Sequence, residues 1–326
     1  LVPRGTPSDL RQNIENAIAV RSWLRQQYEK DPFGHHTVIL VGHVPLPLSG
    51  RAAPDGHEPR AHPTDLIYAD MDGRWQANPE GLLFDNQVPG DSIEMQIGRV
   101  DFSQVSGKDP AREIALLRDY FDRNHHWRMG LHGDLRQAYA QNGNLTVERY
   151  SLRNIVGPEA IASGGHHDIG ENGPWLWGVD FGDARGHVYA EEFANEAIFT
   201  INFGSNKQTF NIGFNGMTAM LAQPWYTLAV GWGGRPAWRL HHMALGGTIG
   251  EVHQRTVNNG KAALPYRESM DYYPTGIYMW RNPIWVNLLG DPTTRAFMLA
   301  PPASVALAQT DGGIQVSWQA SPDPDT

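Results

Sequence analysis

Apolar residues at Leu10, Ile14, Ala17, Ile18 and Trp23 recur near helical spacing, which predicts an amphipathic helix from Asp9 to about Glu29. Asp31-Pro32-Phe33-Gly34 ends it. The next run, Thr37-Val38-Ile39-Leu40-Val41-Gly42, is continuously apolar, the pattern of a strand covered on both faces. Asp65 to Asp70 reads as a short strand entering the turn Asp70-Met71-Asp72-Gly73. Ile93 to Val100 reads as another strand, and Asp109 to Asn124 as a helix with Ile114, Leu117 and Tyr120-Phe121 inward. The segment 125–174 gives no clear assignment. Beyond it, Trp175–Val179, Ala197–Phe203 and Tyr226–Trp232 are apolar runs that each end in a glycine-containing loop. Buried strands alternating with helices predict an open α/β sheet, in which ligands bind beyond the carboxyl ends of the strands.

The pattern changes after Pro301-Pro302. Val305–Leu307, Asp311-Gly312-Gly313 and Ile314–Trp318 read as the first hairpin of a β-sandwich. A lone hairpin is marginal in water, so residues 303–326 are expected to be the truncated start of a fibronectin III or immunoglobulin-like module. Leu1-Val2-Pro3-Arg4-Gly5 is a thrombin cleavage sequence from an expression tag. The expected organisation is therefore a 1–5 remnant, an α/β domain over 6–302, and the partial module.

Composition narrows the function. Charged residues are only 19%, against 11 Trp, 35 Gly and 23 Pro, a profile of loop-rich enzymes and glycan-handling domains. The net charge of −9, with no basic run, argues against nucleic acid, which requires clustered Lys and Arg. No stretch is long and apolar enough for a membrane span. The chain has no cysteine, which excludes disulfides, thiolate metal sites and a cysteine nucleophile.

Several runs nevertheless resemble gingipain-type cysteine peptidases. The strand Val38–Gly42 followed by His43-Val44-Pro45 is similar to the family's opening motif. Asp65-Leu66-Ile67-Tyr68 with Asp70 and Asp72, the strand Ile97-Gly98-Arg99-Val100 and the late Leu289-Gly290-Asp291-Pro292 follow in the family's order. The resemblance implies a caspase-like sandwich, a parallel-rich sheet between helices, in a secreted, periplasmic or cell-surface bacterial multidomain protein. The family's catalytic His follows one strand and its Cys the next. Here Val179-Asp180-Phe181-Gly182 and Ile201-Asn202-Phe203-Gly204-Ser205 stand at those places, so the Cys–His pair is gone. Ser205 lacks a Gly-x-Ser-x-Gly elbow and reads as a turn serine.

Other chemistry remains open. Asp180, Asp183, Glu191 and Glu192 form an acid-rich stretch after the Trp175–Val179 strand, and two carboxylates with separated pKa values can hydrolyse a glycosidic bond. A solvated acidic loop is the simpler explanation. Asp180, Asp183 and Glu191 are the catalytic candidates. Trp177, Asn202, Trp232, Arg235, His241 and His43 are substrate-binding candidates along one sheet edge, weighed evenly against structural packing. Asp70 and Asp72 could hold structural calcium through hard oxygen ligands, although no complete EF-hand surrounds them. His166-His167-Asp168 with Glu171 matches no zinc spacing and reads as a surface loop. No organic cofactor is indicated.

Two functions follow. One is an extracellular carboxylate hydrolase, a glycosidase-like enzyme on a polysaccharide. The other is a pseudopeptidase, a domain kept for binding or scaffolding on extracellular polymers or proteins.

Overall fold

Asp9 opens the first helix by accepting a bond from the Gln12 amide, one of the four otherwise unsatisfied donors there. The protein is described by a computed structural model covering residues 9–51, 60–85, 92–141, 146–165, 172–181, 195–203, 209–213, 215–232, 238–261, 286–297, 303–310 and 312–319. Helix α1 (Leu10–Tyr28) buries Ile14, Ala17, Val20 and Leu24. Ile18 and Trp23, also near helical spacing, fall beside that stripe and stay exposed, at 43% and 58%.

Strand β1 (Thr37–Val41) forms where expected, but it is an edge strand. Leu40 is buried while Thr37, Ile39 and Val41 are exposed, so one face is bare. Continuous apolarity marked the strand without marking its cover. Asp65–Asp70 is not a strand. Leu66–Tyr68 form one 3-10 turn, all three buried, and the Tyr68 hydroxyl donates to the Pro45 carbonyl at 2.5 Å. A small hairpin of β2 (Trp75–Ala77) and β3 (Leu83–Asp85) follows, then β4 (Gln96–Val100).

Asp109 caps α2 (Pro110–Arg128) by accepting from the Ala111 amide. Its buried face carries Glu113, Tyr120, Arg123, Asn124 and Trp127, whereas Ile114 and Phe121 are exposed, contrary to the apolar pattern. The polar members are buried because they bond: Arg123 donates to the Leu221 carbonyl, and Asn124 to Asp291. The unassigned stretch resolves into β5 (Ala138–Ala140), α3 (Thr146–Val156) and β6 (Ile161–Ala162). Then come β7 (Trp175–Phe181), β8 (Ala197–Phe203), α4 (Gly216–Ala222), β9 (Ala229–Trp232), α5 (Ile249–Lys261) and β10 (Leu288–Gly290).

Eight strands form one sheet in the order β1-β4-β10-β9-β8-β7-β5-β6. β1 pairs parallel with β4, and β9, β8, β7, β5 and β6 pair parallel in turn. β10 joins the two halves. It runs antiparallel to β9 over three residues and meets β4 in one bridge of parallel pattern, Leu289 beside Arg99. That single pair adjoins Gly290, at φ +125, and contacts on either side fix the chain's sense. After β10, Asp291 shares Tyr120 with the Leu228 carbonyl before β9, and Pro292 lies against Gly98 near the start of β4. Before β10, Asn287 accepts from the amide of Asp65, which pairs with Arg99 near the end of β4. The two halves therefore run the same way, and the carboxyl ends of β1, β4, β9, β8 and β7 share one edge.

A side chain at Gly98 would place its Cβ 2.3 Å from the Gly290 carbonyl oxygen, so the glycine permits β10 to approach β4. β11 (Ala303–Thr310) and β12 (Gly313–Gln319) form a separate antiparallel hairpin. Among the described residues no helix is long and apolar enough to cross a membrane.

Candidate functional site

The sheet register gathers three predicted residues. Asp180 of β7 pairs with Asn202 of β8, which pairs with Trp232 of β9, in a row at the carboxyl edge. This is the place where an open α/β sheet binds ligands. Asn202 is 1% exposed, and neither its amide nitrogen nor its oxygen has a hydrogen-bond partner among the described residues. An orphaned buried amide is costly, so this one needs an explanation.

Both tryptophans at the edge are core residues, not sugar platforms. Trp177 has no exposed surface and stacks on Phe199, with ring centroids 5.1 Å apart. Trp232 is 1% exposed, and its carbonyl accepts from the Trp238 indole at 2.8 Å. Trp238 in turn fills the space over Gly231, where a Cβ would lie 2.5 Å from its ring. Strand spacing alone could not separate packing tryptophans from binding ones. Asp183, Glu191, Glu192 and Arg235 lie outside the described residues, as do Ser205, His166, His167, Asp168 and Glu171. For Asp180 only its strand position is described.

His241 lies in the 3-10 turn Leu240–Leu245 beyond β9, half-buried against His242 with rings 4.3 Å apart. Burial lowers its pKa, and the Arg239 and Arg255 charges lower it further, which keeps the ring neutral near pH 7. His43 shares the edge but not the row. β1 stands four strands from β8 in the sheet order, roughly 19 Å at ~4.8 Å per strand. Its Nε2 lies 2.8 Å from a Glu113 carboxylate oxygen. It is therefore separated from the Asp180–Asn202–Trp232 row, and the expectation of one common rim holds only for direction.

Between the two places runs a buried ion pair that the sequence contained as two separate motifs. Arg99 and Asp65 are 1% and 2% exposed. The guanidinium donates to Asp65 at 2.9 and 2.7 Å and to the Val44 and Pro45 carbonyls at 2.9 and 3.3 Å. Burial alone would depress the Arg99 pKa, but the Asp65 carboxylate overrides it and the net shift is upward. His62, 1% exposed, reaches Thr209 beyond β8 at 3.4 Å. Its surroundings, Arg51 to Thr64 with Pro, Gly and His, carry the composition of a loop and no motif.

Asp70 and Asp72 do belong together, and a third carboxylate joins them. Ligand oxygens of Asp70, Asp72 and Glu94 lie within 4.8 Å of one another. Asp70 accepts from the Gly73 amide at 2.6 Å and Glu94 from the Met71 amide at 2.6 Å. Arg21 of α1 binds the Asp70 and Gly73 carbonyls at 2.9 and 2.8 Å. Burial raises the Glu94 pKa to about 6; the Met71 hydrogen bond lowers it, and Asp72 and Asp70 add to the rise. Glu94 was missed because it precedes its strand without any motif spacing.

A chain in the complex of the pro- and mature domains of RgpB from Porphyromonas gingivalis has a similar structure. It is 16% identical, with a TM-score of 0.52, over 90% of this chain and 73% of that one. The fold is gingipain-like. No family model matches the chain, and no curated protein does. At this identity the likeness establishes architecture, and function has to be argued from the site.

Proposed function

We propose that this domain is a pseudopeptidase, a gingipain-like fold that binds an extended extracellular polymer along the carboxyl edge of β7–β9 without cutting it. The observation behind it is Asn202. A fully buried amide with no partner among the described residues sits at the end of β8, beside the positions where the resembling family keeps its dyad, in a chain without cysteine. Such an amide can donate and accept at once, which suits a ligand group that does both, a peptide unit or a sugar hydroxyl. The resemblance also suggests a secreted or surface location on a bacterial cell.

Hydrolysis of a polysaccharide by Asp180 with Asp183 or Glu191 gains nothing from the geometry. The tryptophans that were to carry the sugar are packed in the core.

Asp70, Asp72 and Glu94 fit a hard, oxygen-preferring cation such as calcium, because three carboxylates, one of them fully buried, crowd within 4.8 Å of one another beside the Arg21 guanidinium, 4.0 Å from Asp70. Its part would be structural, pinning the turn after Leu66–Tyr68 to the entrance of β4.

The test combines binding and turnover. Wild type and Asn202→Leu are incubated with panels of polysaccharides and unfolded polypeptides. Retention on the polymer, reducing-sugar release and peptide cleavage are measured together. The expected result is retention without cleavage, weakened by Asn202→Leu. Sugar release abolished by Asp180→Asn would overturn the binding reading in favour of the hydrolase.

A further inference from the structure

We propose that His43, Asp101 and Glu113 form a binding site for a divalent transition metal such as Zn2+, separate from the polymer edge and from the Asp70 carboxylates. The three come from different elements: the turn after β1, the residue after β4, and the first turn of α2. One ligand atom from each lies within 4.8 Å of the others. The tightest pair, His43 Nε2 and Glu113 Oε2, is 2.8 Å apart.

The donor set selects the ion. One imidazole nitrogen with two carboxylate oxygens is harder than a thiolate site and softer than the all-oxygen shells that calcium and magnesium prefer. Three protein ligands also match the open coordination of reactive zinc sites, where solvent or substrate takes the remaining position. Exposure agrees: the Glu113 and Asp101 side chains are 11% and 14% exposed, while His43 at 37% faces solvent.

The local charge also calls for a cation. The Arg99 guanidinium lies 3.6 Å from Asp101. It is already bonded in bidentate fashion to Asp65 and to two carbonyls. With that pair neutral, the Asp101 and Glu113 carboxylates and the His43 ring offer three ligand atoms within 4.8 Å of one another, a set that a divalent ion completes. A simple His43–Glu113 tie accounts for two of the residues but not for the Asp101 oxygen held within 4.8 Å of both.

The ligands are held before any ion arrives. The Gly42 amide donates to the Val100 carbonyl at 2.8 Å, and Val44 closes a tight turn on Gly42 at 2.7 Å. Arg99 fixes the Val44 carbonyl beside it. Asp101 is oriented by the Ser103 amide, which donates to its Oδ1 at 2.8 Å. Outer-shell bonds of this kind fix ligand geometry and affinity.

The test is calorimetric titration of chelator-stripped protein with ZnCl2, in buffer holding calcium to fill oxygen-only sites. A single saturable site is expected in wild type, lost in His43→Ala and Glu113→Gln and strongly weakened in Asp101→Asn. His35→Ala, at an exposed histidine elsewhere, should leave it intact. Cobalt loading should give visible ligand-field bands that vanish in His43→Ala. Asp101→Asn keeps the His43–Glu113 bond, so it discriminates even if the other variants unfold. The chain has 14 histidines, so zinc uptake unchanged in Asp101→Asn and His43→Ala means other ligands hold it and the proposal fails. Absence of a saturable site in wild type overturns it as well.

Discussion

Arg99 shows how much one residue can organise. Its guanidinium is fully desolvated, and each of its contacts fixes a different segment: Asp65 in the loop before Leu66, and the Val44 and Pro45 carbonyls after β1. Asp65 then passes the constraint to Asn287 and β10 through its amide. Removing one partner of such a pair leaves a buried charge without compensation, which costs about 3–5 kcal/mol. Asp65→Asn is therefore expected to lower the urea midpoint sharply. Arg99→Lys should recover little, because a point charge cannot reproduce the fork. A midpoint within error of wild type for Asp65→Asn would refute the pair's structural role. Asn202 predicts the opposite sign. If its amide is unsatisfied without ligand, Asn202→Leu should raise stability by about 1–3 kcal/mol while weakening polymer retention. A destabilised Asn202→Leu would mean that the amide already has a partner.

At the level of elements, the apolar pattern located α1, β1, β4, α2, β7, β8 and β9, since each is marked by a run or stripe of its own. It misjudged which faces are covered. Ile114 and Phe121 of α2 are exposed while Arg123 and Asn124 are buried, because carbonyl and carboxylate partners far along the chain receive them. β10 is only three residues long and carries no period, so its place between β4 and β9 was not legible. The same is true of the site: the strand ends pointed to Asn202, but nothing nearby in sequence could link His43 to Asp101 and Glu113. The β11–β12 hairpin is a further case. Leu307 pairs with Val316, and Leu307, Val316, Ile314 and Trp318 are all strongly exposed. Among the described residues no other strand pairs with it. Deleting residues 303–326 is expected to leave the melting temperature of the remainder unchanged and to reduce self-association, measured by calorimetry and light scattering. A fall of several degrees on deletion would instead place the hairpin within the cooperative unit.

On the scale of the whole molecule, acid stability should depend on one buried and one half-buried group of opposite sign. His253 of α5 is fully buried beside the Trp238 ring, and its Nε2 bonds the Val286 carbonyl at 2.9 Å. Burial lowers its pKa from 6.5 to about 4, against smaller upward pulls from that bond and from Asp65. The unfolded chain therefore binds a proton that the folded one refuses. His253 contributes stability that is complete above pH ~6.5 and lost as pH falls towards ~4, about 3 kcal/mol in all. Glu94 acts the other way. Its folded pKa, raised by burial to about 6 from 4.5, makes the folded state take up a proton first, so stability rises as pH falls through that window. A calcium ion on Asp70, Asp72 and Glu94 would hold Glu94 ionised and remove that gain; acid would then also release the ion, and stability contributed by its binding would be lost. Melting temperature against pH, with calcium and with chelator, separates these contributions. With chelator the acid decline should be shallow, and Glu94→Gln should steepen it. With calcium the wild type should start higher near pH 7 and fall more steeply, and His253→Gln should flatten part of the fall in either buffer. Superimposable curves with and without calcium would remove the cation from the Asp70 turn, while leaving the His253 dependence to be judged on its own variant.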